Sequence, residues 1–531
     1  MYTKFRIKSI LMAAALTTVV SSCNNFLETE PSDFVAPETY YSNADEILSA
    51  LTGVYNTIHL ETMYGNNYSC MISGVDDLSY YDRSNISGEI YVNDHTPGNT
   101  ILLDTWTALY AGINNANLLL EKIDGADMDE NLRTKYKGEA RFLRAYYHFL
   151  LAQAWGDVPV KTESQKDVAS VNAPKTSQAD VLDFVISEME ACVDMVDNST
   201  YDLSVSHVKK TVVEGILARV CLTRAGYPSN GGKPFYEKAA YWANEVKKSG
   251  KHDLNPDVYA LFKNMASDNV DTQYNESMWE AEFLGNRTEG HYSAGRIGNV
   301  NGILNNADPN IATGDGYSYG FFSGTTILWD LYLKTQNVTT PDSRRDLSMA
   351  PYQYKKGVKA NWSATNIVQR NCGKFRREWE VLFPKDKNRT PDNFPILRYA
   401  DVLLMLAESE NEVNNGPTLL AYECINKVRE RAGVLPLNGL SYEQFKQEVK
   451  DERGRELCFE GTRKYDLVRW GEYVTAVHDK LGAAVANTSR WQTAKGFVAY
   501  YANRTEKKHE FLPIPSKALG LNKALVQNPL W

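Results

Sequence analysis

The sequence lacks the short signatures of several common enzyme classes. It has no P-loop, no dinucleotide-binding glycine fingerprint and no HExxH pair, so nothing supports phosphate chemistry or zinc proteolysis. It also has no CxxC pair, and its eight histidines show no metal-ligand spacing. A structural zinc site is therefore not expected, and no cofactor is indicated.

Cysteine is scarce, with seven in 531 residues. Six of them follow Cys23, and six cysteines allow too many connectivities for the sequence to choose a pairing. Four of the six lie within predicted helices, where a free thiol behaves as a small apolar residue. We therefore favour buried free thiols over disulfides.

Charge and hydrophobic runs exclude two further classes. Acidic residues outnumber basic ones by 66 to 57, which gives a formal charge of −9 and argues against a nucleic-acid partner. Beyond the first 23 residues, no apolar run approaches the length of about 18 residues that is typical of a transmembrane helix. With 43% hydrophobic residues, the chain has the material for a large core.

The start of the chain predicts export and lipidation. Three basic residues precede the apolar stretch Ile10–Val20, which is about half of the roughly 20 residues needed to cross a bilayer. Small residues then lead to Cys23 in a pattern that resembles a lipobox. We expect residues 1–22 to be a signal peptide and Cys23 to carry the lipid. The alternative is an ordinary signal peptide that is cut near an incidental cysteine.

Apolar periodicity predicts a mainly α fold. Leu143, Tyr147, Leu150 and Ala154 recur at helical spacing and mark one apolar helix face. Further predicted helices are Asp45–Leu60, Thr105–Ile123, Gln178–Val196, His207–Gly226, Phe235–Ser249, Ile396–Val413, Thr418–Ala432 and Tyr442–Glu460. Their lengths and facing alanines are typical of tetratricopeptide-like stacked helix pairs, although no strict repeat is visible.

Composition divides the chain into domains. We expect a helical N-terminal domain over 23–250 and a C-terminal domain over 275–531; the chain is loop-rich over 255–395 and helical over 396–531. The loop-rich part contains a possible strand at Glu276–Phe283. Long loops on a helical scaffold commonly carry function, so this irregular lobe is where a ligand is expected.

A charged cluster and two tryptophans in the helical blocks have structural interpretations. The cluster is interpreted as ion pairs that hold the last helices against the second lobe, rather than as a catalytic site; it comprises Arg453, Arg455, Glu456, Arg463 and Asp466. Trp155 and Trp470 are interpreted as packing residues rather than as sugar platforms.

Motif-like segments follow one another in order from Cys23 to Trp531. They are residues 24–31, Trp106–Tyr110, Arg144–Tyr147, Trp155–Pro159, Arg398–Glu408, Asn426–Gly433, Glu452–Leu457, Arg463–Trp470, Leu512–Pro515 and Asn528-Pro529. Together they resemble the SusD/RagB family. The resemblance implies a lipid-anchored protein exposed on the surface of the outer membrane. Such a protein lies over a TonB-dependent porin, captures oligosaccharides and passes them inward without catalysis.

Two alternatives to glycan capture stay open. One is a peptide-binding subunit of a similar transporter, and the residues do not separate the two ligand classes. From another class, a glycan-cleaving hydrolase needs two carboxylates across a cleft, and no such pair is marked among 66 acidic residues.

Candidate sugar-binding residues are exposed aromatics beside polar side chains, because sugars present apolar C–H faces ringed by hydroxyls. Three clusters fit this description, and the resemblance supports the regions of the first two. Their predicted binding residues are Asp77, Tyr80, Tyr81 and Arg83 in the first, Tyr317, Tyr319 and Phe321 in the second, and Trp362 in the third, which also contains Arg376 and Trp379. For any single ring, the alternative is that it packs a loop onto a helix.

One motif points to a hydrolase. Residues 316–320 read Gly-Tyr-Ser-Tyr-Gly and match the G-x-S-x-G nucleophile elbow, which requires a strand before the serine and a helix after it. The preceding residues are typical of a loop, and the chain lacks alternating βαβ units. We therefore predict no catalytic residues.

Overall fold

The computed structural model describes residues 40–84, 86–167, 171–199, 204–285, 295–306, 314–335, 341–486, 490 and 495–531. The predicted signal peptide and Cys23 lie outside these residues, so the lipidation site stays a prediction. Within the described part of the chain, no helix has the length and apolar character that crossing a membrane requires.

The fold is mainly α, as predicted. The helices are α1 Ala44–Tyr55, α2 Thr100–Lys122, α3 Glu130–Trp155, α4 Gln178–Cys192, α5 Lys210–Ala225, α6 Lys233–Lys248, α7 Val258–Ala266, α8 Ile297–Asn301, α9 Thr326–Leu333, α10 Arg345–Ser348, α11 Tyr399–Asn414, α12 Leu419–Arg431, α13 Tyr442–Leu457, α14 Arg463–Arg469, α15 Gly482–Ala486, α16 Lys495–Arg504 and α17 Ser516–Leu521. Side-chain caps set the start of many of them, because a side-chain oxygen accepts from otherwise unpaired backbone N–H groups. The capping residues include Asn43, Asn99, Asp129, Ser177, Thr418 and Ser441.

The two helical blocks form one continuous array. Helices α1 to α6 pack in sequence order, α6 packs against α11, and α11 packs against α12 and α13. Small residues allow these close approaches: Ala239 and Ala243 of α6 are fully buried. At Gly112 of α2, a Cβ atom would lie 2.7 Å from the Tyr147 ring of α3. The loop-rich residues between α6 and α11 do not belong to this array, and we call this segment the excursion.

The strands form three short antiparallel pairs. They are β1 Ser79–Tyr81 with β3 Phe322–Gly324, β2 Ser277–Ala281 with β6 Phe394–Arg398, and β4 Tyr352–Lys355 with β5 Val358–Asn361. Strand β2 confirms the strand predicted at Glu276–Phe283. The helix predicted from Ile396 was wrong at its start, because residues 396–398 pair with β2 and α11 begins only at Tyr399.

A buried ion network joins the excursion to the last helices of the array. Its central residue is Arg398, whose guanidinium lies 2.9 Å from Glu276, 3.1 Å from Glu456 and 2.7 Å from Glu460. Arg344 also reaches Glu456, at 3.0 Å. The remaining members, whose side chains are all buried, are Asp342, Lys374, Arg429, Arg431, Glu452 and Arg455.

A second set of buried ion pairs follows the array itself. Arg453 of α13 lies 2.7 Å from Asp401 of α11 and 2.8 Å from Asp466 of α14. Arg463 of α14 pairs with Asp77, just before β1, at 2.8 Å. The interpretation of the charged cluster as structural ion pairs is therefore confirmed.

The tryptophans and cysteines also have the packing roles expected of them. Trp155 is fully buried and donates to the Pro513 carbonyl at 3.0 Å, while Trp470 donates to Glu408 at 2.9 Å. The cysteines of the described residues are free and buried, as favoured from the sequence. Burial raises the pKa of the Cys70 thiol to about 12, so it stays protonated and unreactive.

We predict that Glu456→Gln lowers the free energy of unfolding by about 3–5 kcal/mol, because it leaves buried arginines without their charge partner. Urea denaturation measures this loss. The matched control is Glu423→Gln, since Glu423 forms an exposed pair with Lys247 at 2.9 Å, and its loss is expected to cost less than about 1 kcal/mol. Equal effects of the two substitutions would contradict the structural role of the network.

We also predict that stability falls steeply in acid. Burial alone raises the pKa of Glu408, but the Arg469 guanidinium outweighs it and lowers the pKa to about 2, from an ordinary value of 4.5. A lowered carboxyl pKa stabilises the folded state above pH 4.5, and this contribution is lost as the pH falls towards 2. Urea titrations across this range measure the free energy of unfolding. As the pH falls, Glu408→Gln is expected to lose about 3 kcal/mol less of it than the wild type does. Parallel profiles of unfolding free energy against pH for the wild type and Glu408→Gln would contradict this prediction.

Candidate functional site

The pairing of β1 with β3 brings together the first two sequence-predicted clusters. Tyr81 is opposite Phe322 and Tyr80 is opposite Ser323 in the register. The Asp82 backbone N–H also donates to the Phe321 carbonyl at 2.7 Å. Residues 76–83 and 317–322, far apart in the sequence, therefore form one surface.

The centre of this surface is a row of five aromatic rings, which we call the aromatic row. It runs through Tyr317, Tyr319, Phe321, Tyr81 and Tyr91. Successive ring centroids are 5.0, 5.1, 5.1 and 4.0 Å apart. The rings of Tyr317, Tyr319, Phe321 and Tyr91 are half-buried, whereas Tyr81 is buried, at 8% exposed.

Two-residue periodicity explains why the second cluster presents its aromatics. Tyr317, Tyr319 and Phe321 alternate with buried residues, as expected for an extended segment with one face in the core. At Gly320 the backbone φ is +53°, and a Cβ atom there would lie 2.5 Å from the Leu304 nitrogen. The segment therefore requires glycine at this point.

Backbone hydrogen bonds from neighbouring elements hold the row in place. The N–H groups of Tyr319 and Phe321 donate to the carbonyls of Asn299 and Val300, each at 2.8 Å. Arg377 donates to the Tyr317 carbonyl at 2.5 Å, and Arg83 donates to the Tyr319 carbonyl. The backbone of the segment is thus held at Tyr317, Tyr319 and Phe321, the three residues whose rings face outwards.

The rings of the row largely cover one another. Tyr319 and Phe321 are stacked with an interplanar angle of 14°, and the Arg83 guanidinium lies 5.5 Å from the Phe321 centroid. The inner rings therefore offer mainly edges and hydroxyls to a ligand, whereas the two end rings, Tyr317 and Tyr91, each have one ring neighbour in the row. Sequence reasoning missed Tyr91, because it lies alone in a short 3₁₀ turn and no pattern marks it.

Two of the predicted binding residues do not face the surface. Asp77 is 4% exposed and accepts both bonds of a bidentate pair with Arg463, and Tyr80 is 2% exposed and donates to the Val368 carbonyl. This placement corrects the prediction for both residues. They support β1 from beneath, because Tyr80 and Tyr81 point to opposite faces of the strand.

The third cluster lies around the β4–β5 hairpin. Trp362 is half-buried at the end of the β4–β5 hairpin, where its backbone N–H donates to the Pro351 carbonyl at 2.9 Å. Trp379 lies beneath the buried Arg376 guanidinium, 4.9 Å from the ring centroid. No ring contact among the described residues joins this cluster to the row, and the sugar-binding role of Trp362 stays a prediction.

The G-x-S-x-G match does not form a nucleophile elbow. Ser318 is 1% exposed; its hydroxyl donates to the Asn299 carbonyl at 3.0 Å and accepts from the Gly320 N–H at 3.2 Å. Strand β3 follows it where the hydrolase motif requires a helix. Within the described ranges, no group of three or more His, Cys, Asp and Glu side chains is arranged to hold a metal.

Comparisons with known proteins agree with this architecture. A sequence model of the SusD family matches residues 275–531, and a model described as "Starch-binding associating with outer membrane" matches residues 25–222. SusD-like protein P25 of Formosa agariphila is 25% identical over 98% of both chains. Starch-binding protein SusD of Bacteroides thetaiotaomicron is 24% identical over 78% of this chain and 76% of its own length.

Solved structures of SusD-like proteins also resemble this chain. A SusD homologue from Bacteroides thetaiotaomicron is 30% identical, with a TM-score of 0.81 over 93% of this chain and 98% of its own. A laminarin-binding SusD-like protein shares the fold, with 21% identity and a TM-score of 0.71 over 92% of this chain and all of its own. These matches, together with the stacked helices and the ordered motifs, show that the chain belongs to the SusD family.

Proposed function

We propose that this protein is a non-catalytic glycan-binding protein and that the aromatic row is its contact surface. The observation that carries the proposal is the row itself, since half-buried aromatic rings beside polar groups suit the apolar faces and hydroxyls of sugars. Relatives named for starch and laminarin binding support the same ligand class.

The geometry favours recognition by a preformed surface. The rings pack against one another, and Arg377 and Arg83 fix the backbone beneath them, so little ordering is required when a ligand binds. Polar groups lie beside the rings: the Tyr319 hydroxyl is 3.5 Å from the Asn388 amide oxygen. Hydroxyl and amide groups of this kind bind the rim of a sugar ring.

Delivery to a porin is the second half of the proposal. A lipid on Cys23 would tether the protein to the outer membrane, where a TonB-dependent porin would take over the captured oligosaccharide. The family model that associates its members with the outer membrane supports this location. The helical array offers the rigid scaffold on which such a handover depends.

We predict that Tyr319→Ala and Tyr91→Ala each weaken oligosaccharide binding about tenfold, because each removes an aromatic contact surface. Titration calorimetry of the full-length protein in detergent, against plant and microbial oligosaccharides, measures the change. The control is Tyr241→Ala on α6, whose side chain is 54% exposed and far along the chain from the row.

The same titrations separate the alternative functions. Heat with a peptide digest and none with any glycan would replace glycan capture by peptide capture. Shortened sugars after incubation would show a hydrolase and contradict the non-catalytic role. An unchanged affinity in both row variants would place the contact surface elsewhere on the protein.

We further predict that Cys23→Ala moves the protein from the membrane fraction to the soluble fraction, because it removes the acceptor of the lipid. Fractionation of cells that express each form measures this. Membrane association of the Cys23→Ala protein equal to that of the wild type would contradict the lipid anchor.

A further inference from the structure

One end of the aromatic row carries a lysine that has no ion-pair partner among the residues that the structure describes. The Lys387 ammonium group lies 4.9 Å from the centroid of the Tyr317 ring, and its side chain is exposed. No carboxylate of the described residues is within ion-pair distance of it. This end of the row therefore presents a free cation beside an aromatic ring.

The β4–β5 hairpin adds further cations at the same end. The Tyr354 hydroxyl of β4 lies 2.8 Å from the Asp315 carboxylate, two residues before Tyr317, which places the hairpin beside the row. Lys355 and Lys356 at its tip are exposed, and neither has an ion-pair partner among the described residues. The third hairpin lysine, Lys359, is paired with Glu378 at 2.7 Å.

The described carboxylates of this region each accept a hydrogen bond or lie near Lys359, including Asp315, which is 3.8 Å from the Lys359 ammonium group. Glu378 accepts from the Tyr352 and Tyr354 hydroxyls at 2.7 and 2.8 Å, in addition to pairing with Lys359. Asp386 accepts from the backbone N–H groups of the two residues that follow Lys387, each at 2.8 Å. The lysines are thus left for a ligand, in a protein whose overall formal charge is −9.

A further cation lies midway along the row. The Arg83 guanidinium contacts the Phe321 ring and donates to two backbone carbonyls, and no carboxylate of the described residues is within ion-pair distance of it. The neighbouring Asp82 carboxylate turns inwards, where it accepts from Ser323 at 3.2 Å. Positively charged side chains therefore lie along the row from Phe321 to Tyr317 and continue onto the β4–β5 hairpin.

We propose that the ligand is an anionic glycan, whose carboxylate or sulfate groups bind Lys387 and the hairpin lysines while its sugar rings lie along the aromatic row. This rests on the proposed function. Charge-assisted hydrogen bonds to an anion are about twice as strong as neutral ones, so the charge decides which glycan is preferred. Interactions at such an exposed site weaken as salt screens them.

The test uses the full-length protein in detergent and two matched pairs of oligosaccharides. One pair is an oligouronide and its carboxyl-reduced neutral counterpart; the other is a sulfated galactan oligosaccharide and its desulfated form. We expect the anionic member of one pair to bind about tenfold more tightly than its neutral partner, and the pair that responds identifies the anion. The preference is expected to shrink in Lys387→Gln and to persist in Lys263→Gln, which removes an exposed lysine of α7.

The outcomes separate this inference from the proposed function. Equal binding of the neutral and anionic members would overturn the charge preference and leave glycan capture intact. A preference that survives Lys387→Gln as well as Lys263→Gln would overturn the assignment to this end of the row. Binding of peptides, with no binding of any glycan, would overturn both proposals together.

Discussion

Buried charge is tolerated in a protein interior only where each ion has a partner, because the cost of desolvating an unpaired ion is several kcal/mol. In this protein, that constraint decides how the irregular excursion meets the helical array. Arg398 stands at the end of β6, directly before α11, and its carboxylate partners Glu276 and Glu456 lie just before β2 and on α13. The excursion therefore docks in the orientation that satisfies these pairs. Asp77 and Arg463 do the same for the approach to β1.

The candidate site depends on this docking. Strand β1 belongs to the N-terminal half and β3 to the excursion, so the two meet only when the excursion is seated on the array. Their three-residue pairing is too short to be stable alone. Once the scaffold holds them, the rings of Tyr81 and Phe321 come into contact and join two half-sites into one row. A surface preassembled in this way binds at low entropic cost, which suits capture and release without chemistry.

Much of the scaffold could be predicted from the sequence, because its signals are local. The helix periodicity around Leu143 acts over a few residues, and the structure confirms it; the side-chain caps at Asp129 and Ser441 act over the same short range. The β1–β3 register is a long-range property, and a three-residue strand carries no pattern of its own. Composition thus identified most of the aromatic residues of the row, but it did not separate Tyr80, which faces inwards, from Tyr81, whose ring lies in the row, and it missed Tyr91.

The most direct test of the account is a crystal structure of the protein with a bound oligosaccharide. The account predicts sugar density along the aromatic row, in contact with Tyr91 and Tyr319, over a backbone that keeps the β1–β3 pairing. Sugar density beside Trp362 and Trp379, or on the helical array, with the row left uncovered, would contradict it.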